Sequence, residues 1–287
     1  KLNPSNCDDA NILITVIAPK IVANNDFVSN VNGYTGANNV INALTNDLLN
    51  AIPVKPLNVK ITVITPPVSI NGGPVPTLNL ITGNVSVSAK TPAGTYVIGY
   101  QICDKLNPTN CDAAKITIIV KTPVIDAIND AVAGINGYTG AQDVLNVTQN
   151  DLLNGTNVIA SEITISIVTP ATPINGGAIP VLNTTTGFVS VPAGTTAGTY
   201  TIVYRICEKL NSTNCDNATV TITVNPPVIE ANDDLAGNIN GLVGATDVIN
   251  AITNDNLNGL PMQLTEVNLT ELAPATPIGG GPVPVLN

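Results

Sequence analysis

Five cysteines and no histidine set the first limits on the chemistry open to this chain of 287 residues. Cys103 and Cys111 have seven residues between them, as do Cys207 and Cys215. Each pair flanks a polar loop between two apolar, β-branched runs: Tyr96 to Val120 reads YVIGYQICDKLNPTNCDAAKITIIV, and Tyr200 to Val224 reads YTIVYRICEKLNSTNCDNATVTITV. Metal sites use closer cysteine pairs together with histidine. A disulfide across a hairpin fits better, and closing this nine-residue loop contributes roughly 2.5 kcal/mol by chain entropy. Free buried thiols are the weaker reading. Stable disulfides imply a secreted or surface location. Cys7 occupies the same place in the pattern as Cys111, so its partner is expected just upstream of Lys1.

The carboxylates offer a second chemistry. Asp26, Asp130 and Asp234 recur at one interval, as do Asp47, Asp151 and Asp255, each of the latter preceded by Asn; Asp126 lies further up a linker. In a sandwich domain the first strand leads away from the linker and the second returns, so Asn150 and Asp151 come back beside Asn129 and Asp130. The last hairpin turns at the same end, which brings Asp104 or Asp112 toward Asp26 and Asp47. Oxygen ligands from a linker and an adjacent loop suit a hard cation such as Ca²⁺. The candidate ligands are Asp26, Asp47, Asp126, Asp130, Asp151, Asp234 and Asp255. The plainer alternative is that Asn and Asp here form turns by bonding their own backbone.

Other chemistries find less support. Lys1, Lys105 and Lys209 recur, but beside a polar loop, where an intramolecular isopeptide bond would need a lysine buried in an apolar strand. Without histidine, a serine or cysteine nucleophile lacks its commonest base, and acids repeated in every copy do not resemble one active site; no enzyme is expected. Tyr34 and Tyr138, in NGYTGA turns, are the exposed aromatics a glycan platform would use, but the third copy has Leu242 there. Tyr96, Tyr100, Tyr200 and Tyr204 fall within strands, where a core or tyrosine-corner role is expected. The Asn146, Asn183 and Asn217 sequons read as chance in a chain so rich in Asn and Thr.

The elements that position these residues are repeated. Cys7, Cys111 and Cys215 are 104 residues apart, and the Asn-Asp pairs and the Gly72-Gly73, Gly176-Gly177 and Gly280-Gly281 turns keep that step. A fixed period means tandem copies, and 104 residues are enough for each to own a core. The expected division is 1–20 as the last strand of a preceding repeat (Asn11 to Ile17), 21–124 and 125–228 as complete repeats, and 229–287 as the first part of another. The chain thus reads as a window from a longer polypeptide. In the second copy the expected strands are Ala131–Ile135, Asp143–Val147, Glu162–Val168, Ile179–Asn183, Phe188–Val191 and the two of the cysteine hairpin. Val220, Ile222 and Val224 alternate with Thr219, Thr221 and Thr223, the pattern of an antiparallel sheet with one buried face. About seven such strands per copy indicate all-β, Ig-like or cadherin-like sandwiches.

Composition agrees. Aromatic residues are 3% and charged residues 10% of the chain, with a net charge of −10, which argues against nucleic acid and anionic membranes as partners. No apolar run is long enough for a membrane span. Low charge with a mean hydropathy of +0.30 favours lateral self-association.

The layout of ANDD at 231–234, DVINAITNDNLNG at 247–259, GTYVIGYQIC at 94–103 and the CDKLNPTNCD loop at 103–112 resembles the cadherin-like and Ig-like repeats of giant bacterial surface proteins. The cysteine loop is most similar to repeats of large adhesins of gliding Bacteroidetes, the SprB type. That resemblance implies export by type IX secretion, an outer-surface location, long fibres that grip substrata, a link to gliding, and calcium at the joints. The present linkers carry fewer carboxylates than a full cadherin junction. The sequence is thus read as the structural stalk of a long cell-surface adhesin, with neighbouring repeats as partners. A surface lattice or sheath is the alternative, and a glycan-binding repeat the third.

Overall fold

The computed structural model describes residues 4–287; Lys1 and the two residues after it lie outside the described residues. Strands form where β-branched residues alternate with polar ones, because successive side chains point to opposite faces. In the first repeat the long strands are β9 (Gly94–Asp104) and β10 (Cys111–Lys121). Tyr96, Ile98, Tyr100 and Ile102 on one, and Ala114, Ile116, Ile118 and Val120 on the other, are buried on a common face. The two strands pair antiparallel from Cys103 opposite Cys111 to Gly94 opposite Val120. Outside them lie β2 (Asp26–Asn32) and β6 (Val59–Thr65), giving the sheet order β2-β10-β9-β6.

A second sheet, β3-β8-β7, is built from β3 (Ala37–Asn42), β7 (Thr77–Leu78) and β8 (Asn84–Val87). The core lies between the sheets, where Val85 and Val87 pack with Val31, Val59, Ile61 and the inner face of β9 and β10. Each fully buried aliphatic side chain contributes about 1.5–3 kcal/mol. The NGG turn between β6 and β7 is possible because Asn71 and Gly72 take φ of 49° and 71°, and Asn tolerates that region better than most residues. Gly33 is needed for another reason: a Cβ there would run into the Thr91 carbonyl oxygen and Val120.

Every strand of the second repeat begins and ends 104 residues after its counterpart. The fold is all-β, two packed sheets per repeat. Several details differ from the sequence expectation. β2 pairs with β10 in parallel, Asp26 opposite Ile116, so the sandwich is not wholly antiparallel; side-chain alternation carries no information about strand direction. A third small sheet, β1-β4-β5, joins the linker strand β1 (Ile21–Val22) to β4 (Leu48–Leu49) and β5 (Ile52–Pro53) of the Asn-Asp loop. The expected strand Asn11–Ile17 does not form, and Ile12, Leu13, Ile14, Val16 and Ile17 are exposed. In residues 229–287 the strands are Ile229–Glu230, Asn256–Leu257 and Leu260–Pro261, which form one small sheet like β1-β4-β5.

Candidate functional site at the joint between repeats

The leading end of each repeat gathers the linker, the Asn-Asp loop and the cysteine loop. β1 pairs with β4, and the Asn50 N–H donates to the Lys20 carbonyl at 2.7 Å. The Asn110 amide donates to the Pro19 carbonyl at 2.6 Å, and Asn214 repeats the bond to Pro123 at 3.0 Å. Asp112 accepts from the Ala23 N–H and Asp216 from the Ala127 N–H, at 2.9 and 3.0 Å. The linkers are therefore sewn to the repeat that follows them. Behind the cysteine loop, Cys103 is bridged to Cys111 and Cys207 to Cys215. Cys7 is exposed and unbridged.

Below the linker lies a buried polar cluster. Asp47 and Tyr100 are fully buried and Asp26 is 6% exposed. The Tyr100 hydroxyl has five oxygens around it: Ala43 O at 2.9 Å, Asn24 O and Asp47 Oδ2 at 3.1 Å, and Asp26 Oδ2 and Asp47 Oδ1 at 3.2 Å. Asp47 Oδ1 also accepts the Asn24 N–H at 2.7 Å. In the second repeat Tyr204 stands in the same place, with Val147 O at 2.9 Å, Asp151 Oδ1 at 3.0 Å, and Asp130 Oδ2 and Ile128 O at 3.1 Å. Burial pushes the Asp26 carboxyl up to about 7, against the opposing Tyr100 hydrogen bond and with help from the Asp47 charge. Asp47 is raised by burial too, against the bonds from Asn24 and Tyr100. Asp130 and Asp151 are each pushed to about 6, burial being the main cause.

The candidate calcium ligands can now be placed. Asp26 meets Asp47, and Asp130 meets Asp151, but through a shared tyrosine hydroxyl. Asp126 and Asp234 are exposed, and Asp255 accepts the Asn232 N–H at 2.7 Å. Asp104 is spent within its own loop, on Asn107 and the Leu106 N–H. Calcium takes six to eight oxygens at close range, whereas here the point where oxygens converge is filled by a hydroxyl. In the second repeat Asn150 Oδ1 and Asp151 Oδ2 are buried without a partner. Among the described residues, no group of three or more His, Cys, Asp or Glu is arranged to hold a metal. As placed here, Asp26, Asp47, Asp130 and Asp151 bond a tyrosine hydroxyl, while the Asp126 and Asp216 charges act on Asp151.

The tail end of the first repeat meets the leading end of the second. The Tyr34 hydroxyl donates to Glu162 Oε2 at 2.9 Å, and Lys90 Nζ donates to Glu162 Oε1 at 2.7 Å. Lys90 also lies 3.6 Å above the Tyr34 ring centroid. Burial pushes Glu162 up, but the bonds from Lys90 and Tyr34 and the Lys90 charge outweigh it, and the net shift is downward. Asn211 accepts from the Ala93 N–H, and Asn71 donates to the Leu210 carbonyl, both at 2.8 Å. Beside these contacts is a cleft of about 590 Å³ lined by Thr95, Lys121, Asn211, Ser212 and others but by no aromatic residue. At the second joint the Tyr138 hydroxyl donates to Glu266 Oε1, and the Asn136 and Asn258 amides bond each other at 2.9 and 3.2 Å.

Sequence reasoning anticipated the tyrosine-corner role of Tyr96 and Tyr200 but not the hydroxyl partners of the other tyrosines. Tyr34 and Tyr138, read as exposed, are half-buried in the joints. Tyr96 and Tyr200 donate to the carbonyl four residues upstream, Pro92 and Thr196, the hydrogen bond expected of a tyrosine corner. Tyr100 and Tyr204 pack in the core, but their hydroxyls organise the linker carboxylates.

No protein-family model matches the sequence, and no curated protein sequence does. Among solved structures, the chain is similar to human CDH23 EC21-23 at 14% identity, covering 78% of this chain and 77% of that one, with a TM-score of 0.33. It is similar to the human Desmocollin-1 ectodomain at 14% identity, covering 72% of this chain and 42% of that one, with a TM-score of 0.29. A third is a SusE-like, surface-located polysaccharide-binding protein from the Bacteroides thetaiotaomicron heparin utilisation locus. There the identity is 12%, the coverage 75% of this chain and 35% of that one, and the TM-score 0.27. At scores of this size the three are resemblances only, and the all-β assignment rests on the strands themselves.

Proposed function

We propose that this chain is part of the structural stalk of a long, repetitive cell-surface adhesin, in which repeats at 21–124 and 125–228 are load-bearing units in series. The observation that carries the reading is the sewn linker. β1 and its counterparts pair with the loop of the repeat that follows, and Asn110 and Asn214 hold the linker carbonyls. A flexible tether would leave that backbone to water. The disulfides support an extracellular setting, and no helix is long and apolar enough to cross a membrane. Surface attachment, type IX export and gliding come from the resemblance of the cysteine loop alone.

Lattice packing has one observation in its favour: Ile64, Val97, Ile167 and Val168 are exposed along the four-stranded sheets. Analytical ultracentrifugation of the chain over a wide concentration range separates the two. The stalk predicts an elongated monomer throughout. Concentration-dependent growth into ordered sheets would replace it with the lattice.

A further inference from the structure

The tail of one repeat and the head of the next are matched side chain to side chain, although the residues concerned are not the ones that make the repeat fold. Position 34 of the first repeat and its counterpart Tyr138 each reach a glutamate, Glu162 or Glu266, on the repeat that follows. The two glutamates are themselves 104 residues apart. We infer that consecutive repeats are locked by a tyrosine–glutamate clamp, reinforced at the first joint by Lys90, and that this clamp, rather than a cation, sets the angle of the joint.

Three features support it. Glu162 spends both carboxylate oxygens on the preceding repeat, one on Tyr34 and one on Lys90. The lysine is itself held over the tyrosine ring, so three side chains are fixed by one another, and such a cluster loses less freedom per bond than an isolated surface pair. Four of the carboxylates nearest the joint are already bonded within the protein: Asp112 and Asp216 to linker N–H groups, and Asp26 and Asp47 to Tyr100.

The clamp is also joint-specific. Asn58 stands at the head of the first repeat where the next has Glu162, Gly194 stands where the first joint has Lys90, and Leu242 stands at the tail of the third repeat where the others have tyrosine. A repeat with Leu242 at its tail has no hydroxyl to offer a follower, and one with Asn58 at its head offers no carboxylate. The stiffness of a joint would thus depend on which residues stand at these positions in the two repeats that meet there. The partner surface is therefore another copy of this repeat with the matching residue.

The test is small-angle X-ray scattering of the whole chain, with thermal melting to confirm that the repeats stay folded. Glu162→Lys sets two cations against each other, and the distance distribution should broaden and its mean shorten. Adding Lys90→Glu to Glu162→Lys exchanges the charges and should restore the original distribution, which a merely destabilised repeat would not do. Tyr34→Phe, which removes one hydroxyl, should loosen the joint if Glu162→Lys fails to fold. Excess chelator and millimolar calcium should leave the wild-type curve unchanged. An unchanged distribution in Glu162→Lys or in Tyr34→Phe, no rescue by the exchange, or broadening on chelation would overturn the clamp. The clamp deepens the stalk reading without depending on it, since a stiff joint would serve a lattice equally well; failure here would leave the sedimentation result standing, and the reverse.

Discussion

A phenol has one proton to give, yet the Tyr100 hydroxyl faces five oxygens within 3.2 Å. Two of its neighbours are carboxyls raised by burial, so the cluster is most stable when protons are shared among Asp26, Asp47 and the tyrosine. The sign follows from linkage. Asp26 at about 7, against an ordinary 3.8, binds protons more tightly in the folded state than in the unfolded one. Its contribution is complete below the unfolded value and is lost as pH rises through about 7; Asp130 and Asp151 lose theirs through about 6. The melting temperature should therefore fall between pH 4 and pH 8 as these carboxyls ionise. Asn mimics the protonated acid, so Asp26→Asn with Asp130→Asn should flatten that slope; a slope unaltered by the pair would remove these carboxyls from the account. Tyr100→Phe deletes the donor at Ala43 O and both carboxyls, and should cost about 2 kcal/mol, measured by denaturant unfolding.

At the scale of elements, the strongest constraint is the hairpin of β9 and β10 with its bridge. Replacing Cys103 and Cys111 by serine should lower the stability of the first repeat by about 2–3 kcal/mol, seen as a melting point roughly 10 °C lower. An unchanged melting point would mean that the hairpin is held by packing alone. This element was readable from the amino acids because its alternation runs for 11 residues on each side. The two-residue strands of the linker sheet were not, since a pair of residues has no period. Nor was the direction of β2. The tyrosine cluster escaped for another reason: Tyr100 is 53 residues from Asp47 and 74 from Asp26, and a tyrosine on an apolar face reads as core wherever its hydroxyl ends. The same holds for Tyr34, whose partner Glu162 is 128 residues away and on another repeat.

For the molecule as a whole, the stalk proposal turns on length and stiffness. On the stalk proposal, an 11-residue strand, about 36 Å at ~3.3 Å per residue, lets each repeat add reach with little mass, and the sewn linkers keep that reach from being lost to bending. On the clamp proposal the joints are held by side chains of the protein, so chelation should not shorten the molecule as it would a metal-stiffened rod. The central claim is that these repeats hold something away from a cell. It is tested most directly by electron microscopy of intact cells labelled with an antibody raised against one repeat. The account predicts label strung along thin filaments that project well beyond the envelope. A continuous coat hugging the cell would contradict it.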